Sequence, residues 1–353
     1  MFKLPPIAVD IGSSAIKIVE VSVGSQKKLR SVGIELVPEG AITEGYIQDV
    51  PTVQQALKRL VKRLRLSTSR RRACLSLGGN SVIIKKVNFP NRDEAEIADM
   101  IEAEAEQHFQ HNIDDLHFDW HILEQNPNQQ DRSVVLIGAK KDIIEQHIAV
   151  AKAVGLKIAV IECDVFATFN MFEYNFGVVQ GLIALANIGA SSAQMSLIGN
   201  GQYLYTRDIA IAGHNYTKAL STALNIAPEN AEALKISSSE EGASVTPDIQ
   251  KVIAQVNKQL VSEIQVTIDF FFQSGEAPLD FTALSAIFLT GGASRTVGLD
   301  NAIASAMNIP VNIINPFHKV EIPRRFPMDS ILSQGHLYGI GVGLSLRDVE
   351  DNF

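Results

Sequence analysis

Asp10-Ile11-Gly12-Ser13-Ser14 returns in altered form as Asn187-Ile188-Gly189-Ala190-Ser191, 177 residues later (10 to 187) in a chain of 353. Glycine admits close approach of the backbone, and serine adds a hydroxyl donor, so each segment is a turn that can offer N–H groups to an anion. An apolar run enters each turn (Ile7 to Val9; Leu182 to Ala186) and an alternating run leaves it (Ala15 to Val23; Ala193 to Ile198). Second turns around Gly24 and Gly201 keep the same offset and lead into a third alternating run. Each half therefore opens as strand, turn, strand, turn, strand. Two such hairpins set face to face can hold a polyphosphate between their backbone donors. One DIGSS segment alone reads as an ordinary β-turn. The repeat changes that reading and points to a nucleotide.

The rest of the composition narrows the class. At 46% hydrophobic residues, a chain of this length can bury large cores in two or three domains. Cys74 and Cys163 sit in apolar stretches with no CxxC partner and read as buried thiols in a reducing compartment. The opening MFKLPPIAVD lacks the charged and apolar regions of a signal peptide, and no apolar run approaches the length of a membrane span. The expectation is a cytosolic chain with no direct membrane insertion. A net charge of -8 argues against a general nucleic-acid binder.

Elements that position the two turns follow from periodicity. Val53, Leu57, Leu60, Val61 and Leu64 mark an amphipathic helix over Pro51 to Leu66. Lys58, Arg59, Lys62, Arg63 and Arg65 read as its solvated face, leading into the basic loop Arg70-Arg71-Arg72. A strand (Ala73 to Leu77), a Gly78-Gly79-Asn80 turn and a strand (Val82 to Phe89) come next. Then follow an acidic helix (Asp93 to Phe109), a strand (Leu116 to Leu123), a polar loop (126–132), a strand (Val134 to Ile137) and a helix (Lys141 to Val154). Residues 84–157 read as an inserted subdomain. A connecting helix is expected around Glu162-Cys163-Asp164 to Asn170. Helices over Asn215 to Leu224 and Pro228 to Ile236, a polar loop (Ser237 to Thr246) and a long helix (Asp248 to Phe272) follow. A strand (Ala286 to Thr290) enters Gly291-Gly292-Ala293-Ser294 and a further helix, and Gly335 to Leu346 closes the chain as a small-residue helix. His108, His111, His117 and His121 cross from a helix end into a strand with no nearby Cys, and read as surface histidines.

The two hairpins, the Thr290-Gly291-Gly292 turn and the final helix with Gly339, Gly341 and Gly343 together resemble the actin-like ATPase superfamily. Within it the chain is similar to the PilM family of type IV pilus assembly proteins, through Ile7 to Glu20, Phe89-Pro90 to Ala105, Ala139-Lys140-Lys141 and Tyr338 to Arg347. FtsA has a comparable insertion, but it ends in an amphipathic membrane helix, and here Arg347 to Phe353 is a short acidic tail. The resemblance implies an α/β, actin-like (ribonuclease H-like) fold of two lobes around a nucleotide cleft. The first lobe would span 1–83, with the inserted α+β subdomain over 84–157 and the connecting helix over 158–180. The second lobe would span 181–334, and 335–353 would return to the first.

The same resemblance assigns roles. Asp10 would stand near the Mg²⁺ of bound ATP, Gly12, Ser13 and Ser14 would line the β-phosphate, and Lys17 would approach the phosphates. Gly189, Ala190, Ser191 and Ser192 would form the second loop. Asp164, with Glu162 second, would orient an attacking water. Gly291, Gly292 and Ala293 would back the nucleoside, with the Glu232–Lys235 pair beside ribose and adenine. Asn187 departs from the family, which usually has Asp there. An amide supplies no charge for Mg²⁺ and cannot act as a base, so binding is expected to survive and hydrolysis to be slow or absent. The implied partner is the N-terminal cytoplasmic peptide of a PilN-type bitopic inner-membrane protein. It would lie in a groove between the first sheet and the insertion, where Val82 to Phe89 and Val134 to Ile137 offer edge strands. Other inner-membrane platform proteins of the pilus would complete an assembly at the cytoplasmic face. A sugar kinase or active ATPase, and an FtsA-like filament or other homo-oligomer, remain open alternatives.

Overall fold

β1 (Ile7–Ile11) is buried at every position, as expected of a central strand covered on both faces. β2 (Ala15–Val21) and β3 (Leu29–Leu36) extend it as an antiparallel meander. A short hairpin of β4 (Ile42–Thr43) and β5 (Tyr46–Ile47) leads to α1 (Val50–Arg63). The Asp49 carboxylate fixes the start of α1 by accepting from the Thr52 N–H at 3.1 Å, and Pro51 sits in the first turn, where no donor is needed. Two arginines of its basic face are engaged with the protein itself: Arg59 and Arg63 both pair with Glu35 of β3 (2.7 and 2.5 Å). β6 (Arg72–Leu77) then adds parallel to β1. The computed structural model describes residues 4–347 except 44, 70, 110, 124–130, 241 and 276. Arg70, most of the polar loop 126–132 and the tail beyond Arg347 lie outside those residues.

The insertion is a three-stranded antiparallel sheet with one helix on its outer face. β7 (Val82–Pro90), α2 (Glu94–Phe109), β8 (Leu116–Ile122) and β9 (Asp131–Lys140) give the strand order β7-β9-β8. Ile97, Ile101, Ala105 and Phe109 of α2 pack on Phe89, Leu116, Val134 and Leu136. Val134 to Ile137 is therefore the central strand, paired on both sides, and the free edges belong to β7 and β8. That corrects the edge assigned from sequence, which chain order alone could not reveal. The other face of this sheet, with Ile84, Val135 and Ile137, meets Val165 and Phe166. α3 (Lys141–Lys152) packs on the first sheet, contributing Val150 and Ala151 to the core that holds Leu57 and Leu60 of α1.

β10 (Lys157–Cys163) joins β6 in parallel and completes the order β10-β6-β1-β2-β3. This strand was not anticipated, because the short apolar run Ile158 to Ile161 ahead of a helix has no period that separates strand from helix. α4 (Asp164–Phe176) follows without a loop. The second half then repeats the first. β11 (Leu182–Ile188), β12 (Ala193–Gly199) and β13 (Gln202–Ile209) form the antiparallel meander. α7 (Pro247–Gln273) packs on it through Leu260, Ile264 and Phe271, while α5 (Gly213–Leu224) and α6 (Pro228–Ser238) pack with the first part of α7. β14 (Leu284–Thr290), α8 (Leu299–Met307) and the unanticipated β15 (Val311–Ile313) complete the order β13-β12-β11-β14-β15, with β14 and β15 parallel to β11. Each sheet is thus a three-strand meander plus two parallel strands on the side of its first strand.

The closing segment is α9 (Met328–Ser333), a tight turn over Gly335–Tyr338, and α10 (Gly339–Ser345). α10 crosses α4 between the sheets. A Cβ on Gly343 would lie 1.7 Å from the Ala167 carbonyl oxygen, so only glycine permits this crossing. One core cluster runs through it, from Ala8 and Val19 to Met171 and Phe172, and on to Ile183 and Leu185. The two lobes share a single apolar base.

Candidate functional site

The two glycine turns are built alike. Gly12 N–H donates to Ala15 O at 3.1 Å, and Gly189 N–H donates to Ser192 O at 3.0 Å. Among the described residues, the N–H groups of Ser13, Ser14, Ala190 and Ser191 make no backbone hydrogen bond. They are donors held at the tip of a rigid hairpin, the arrangement that receives phosphate oxygens. The tips face each other, and Ser13 Oγ donates to Ser191 Oγ at 3.1 Å.

Charge is concentrated behind the first turn. Asp10 is 4% exposed, and Lys17, opposite it in the β1–β2 register, closes an ion pair at 2.9 Å. Asp164 occupies the first position of α4, where the helix N-terminus favours a carboxylate. Burial, together with the negative charge of Asp10, outweighs this and pushes the Asp164 carboxyl up to about 7. Gly78 makes room for that side chain, since a Cβ there would sit 2.0 Å from Asp164 Oδ2. A Cβ on neighbouring Gly79 would lie 3.5 Å from Ser192 Oγ, so the turn after β6 reaches the second hairpin. Glu162, the second candidate for orienting water, ends β10 instead of opening a helix, and pairs with Arg347 at 3.2 Å.

The nucleoside candidates lie against the second hairpin. Gly291 adopts φ +92, and a Cβ there would come within 2.5 Å of both Asn187 Oδ1 and the Ile188 carbonyl. Its N–H donates to His336 O at 2.8 Å, while Ala293 N–H donates to Ile188 O at 2.9 Å. Gly292 stands beside Leu337. Lys235 is buried, with Nζ 2.6 Å from Glu232 Oε2 and 3.3 Å from Gly213 O. Gly213 N–H donates to Gly189 O and His214 N–H to Ala190 O, at 3.1 and 2.7 Å. The Glu232–Lys235 pair is therefore not a loose surface pair. It ties α6 to the start of α5, which holds the second hairpin.

The hairpin tips, Asp164 through Gly78, and Gly291 through Asn187 form one connected group, whereas Glu162 is turned to Arg347. Gly78 was read from sequence only as part of a turn, and Gln194 and Asp208 were not singled out. Gln194 stands opposite Asn187, and its amide donates to Asp208 Oδ1 at 3.0 Å. The offset that relates 10 to 187 also relates 17 to 194, and it is the signal that would have found Gln194.

Two matched five-stranded sheets sharing a cleft, with paired glycine hairpins between them, make this an actin-like ATPase fold. The chain belongs to the type IV pilus assembly protein PilM family, whose model matches residues 8–349. It superposes on the solved PilM-PilN type IV pilus biogenesis complex with a TM-score of 0.86 at 23% identity, covering 98% of this chain and 99% of that one. MreB5 of Spiroplasma citri, solved with AMPPNP, is a more distant likeness, with a TM-score of 0.53 at 13% identity over 97% of this chain and 95% of that one. Among curated proteins, the cell division protein FtsA of Bacillus subtilis (strain 168) is 23% identical over 255 residues. That match takes in 65% of this chain and spans 57% of the FtsA length.

Proposed function

We propose that this member of the PilM family is an ATP-binding scaffold of type IV pilus assembly, recruited to the cytoplasmic face of the inner membrane by the N-terminal peptide of a PilN-type protein. The observation that carries the nucleotide reading is the Ser13–Ser191 contact, which joins two hairpin tips whose N–H groups make no backbone hydrogen bond among the described residues. Gly12, Ser13 and Ser14 from one side and Gly189, Ala190 and Ser191 from the other would hold the phosphates, with Lys17 behind them. Gly291, Gly292 and Ala293 would receive the nucleoside, with Glu232 and Lys235 at its flank. Mg²⁺, held by Asp10, would neutralise the phosphate charge that the hairpins gather. Asp164 would orient water from the first lobe. Asn187 brings no charge opposite, which fits a binding role better than rapid turnover. Isothermal titration with ATP tests the site: Gly12→Asp, which sets a carboxylate among the phosphate donors, should abolish binding seen in the unaltered chain. Equal affinity in both would sink the nucleotide reading.

The partner reading is supported by the likeness to the PilM-PilN complex over nearly the whole of both chains. Among the described residues, no helix is long and apolar enough to cross a membrane, so attachment there calls for a partner. β7 is one of the two outer strands of the insertion sheet and leaves the turn that follows β6, and an extended peptide can pair with a free strand edge. Hydrogen exchange with a PilN-type N-terminal peptide should slow the amides of 82–90. Saturable binding that leaves both 82–90 and 116–122 unprotected would rule out strand addition to the insertion.

A further inference from the structure

The two lobes carry matched cross-strand rows of different charge, whose first two members are related by the 177-residue offset and whose third are matched by strand pairing. In the first lobe the row is Asp10, Lys17 and Ile34, across β1, β2 and β3. In the second it is Asn187, Gln194 and Asp208, across β11, β12 and β13. An ion pair in one lobe is a pair of neutral amides in the other, and the carboxylate reappears two strands further out, on β13. Residues paired across antiparallel strands share a face, so Asp208 lies on the face that Asn187 presents to Gly291. Ile183 and Leu185 of β11 and Ile198 of β12 join the core shared with α4 and α10, so Asn187 and Gln194, which alternate with the same face, and Asp208 paired with Gln194 lie on the side of the sheet turned to the first lobe. Gln194 is nine-tenths buried, and its amide N–H donates to Asp208 Oδ1 at 3.0 Å, fixing the carboxylate.

We propose that Asp208, oriented by Gln194, is the carboxylate through which the second lobe holds the divalent cation of a bound nucleotide, in place of the charge that Asn187 lacks. The proposal rests on the nucleotide reading of the cleft. Among the described residues, the side-chain partner of Asp208 is an amide and no ion pair balances it. Gln194 is the positioning residue, since its amide can orient a carboxylate without neutralising it.

Isothermal titration of ATP into the full chain, with excess Mg²⁺ and separately with EDTA, tests this. The unaltered chain should bind more tightly with Mg²⁺. Asp208→Asn should lose most of that gain, tenfold or more, while its affinity in EDTA stays equal or rises. The double variant Asn187→Asp with Asp208→Asn should recover the gain, which a merely structural role for Asp208 would not produce. Electron paramagnetic resonance of Mn²⁺ with ATP and protein should show a broadened signal that Asp208→Asn weakens. An Asp208→Asn chain that folds and keeps its full Mg²⁺ gain overturns the role of Asp208 and leaves the nucleotide reading standing. Absence of ATP binding by the unaltered chain in either buffer overturns both.

Discussion

Ser13 and Ser191 meet through their hydroxyls at 3.1 Å, although they stand 178 positions apart in the sequence. An exposed hydroxyl pair contributes at most about 1 kcal/mol, so it joins the two lobes without fixing them. Phosphate oxygens entering between the hairpins would take over both hydroxyls. Ser13→Ala should leave the melting temperature within about 2 °C and speed nucleotide association in stopped-flow measurements. An unchanged association rate would show that the contact does not gate the cleft.

Gly291 sits at φ +92 against Asn187 and Ile188. A side chain there meets both a left-handed backbone and two close oxygens. Gly291→Ala should cost about 2–4 kcal/mol of stability, measured by urea unfolding. A loss below 1 kcal/mol would mean that this turn relaxes freely.

The Asp164 carboxyl titrates near 7 in the folded chain and near 3.8 when unfolded. Between those values the unfolded chain has released a proton that the folded chain still holds, so this group lowers stability as pH rises from about 4 to about 7, and the deficit persists above that. Asp164→Asn should therefore raise the melting temperature by about 5 °C at pH 8 and leave it unchanged at pH 4. Equal effects at both pH values would argue against the raised titration.

Asn187→Asp restores a charge beside the second hairpin. If the rest of the apparatus is complete, phosphate release from ATP should rise tenfold or more, because electrostatic placement dominates phosphoryl transfer. Brisk hydrolysis by the unaltered chain, unmoved by the substitution, would contradict the role given to Asn187.

The repeat of DIGSS and its altered copy made the two meanders legible, because glycine turns and alternating strands leave a local mark. The helices over 50–63 and 247–273 were legible for the same reason, through their apolar spacing. Contacts made by distant segments leave no such mark. Gly78 gives no local sign that it backs onto Asp164, and Asp208 becomes part of the cleft only through strand pairing. The pairing order β7-β9-β8, which moved the insertion's edge from 134–137 to β8, likewise depends on how strands return in space.

The insertion touches more than the lobe that carries it. Phe166 of α4, lying under the insertion sheet, packs against Tyr203 of β13 with ring centroids 5.4 Å apart, and Ile84 and Val135 share that cluster. A rotation of the second lobe would therefore press directly on the sheet whose edge is offered to the peptide. Whatever factor the peptide imposes on nucleotide affinity, the nucleotide must return to the peptide. The insertion thus has the placement of a lever between the two ligands, and measuring either affinity in the presence of the other reads its stiffness.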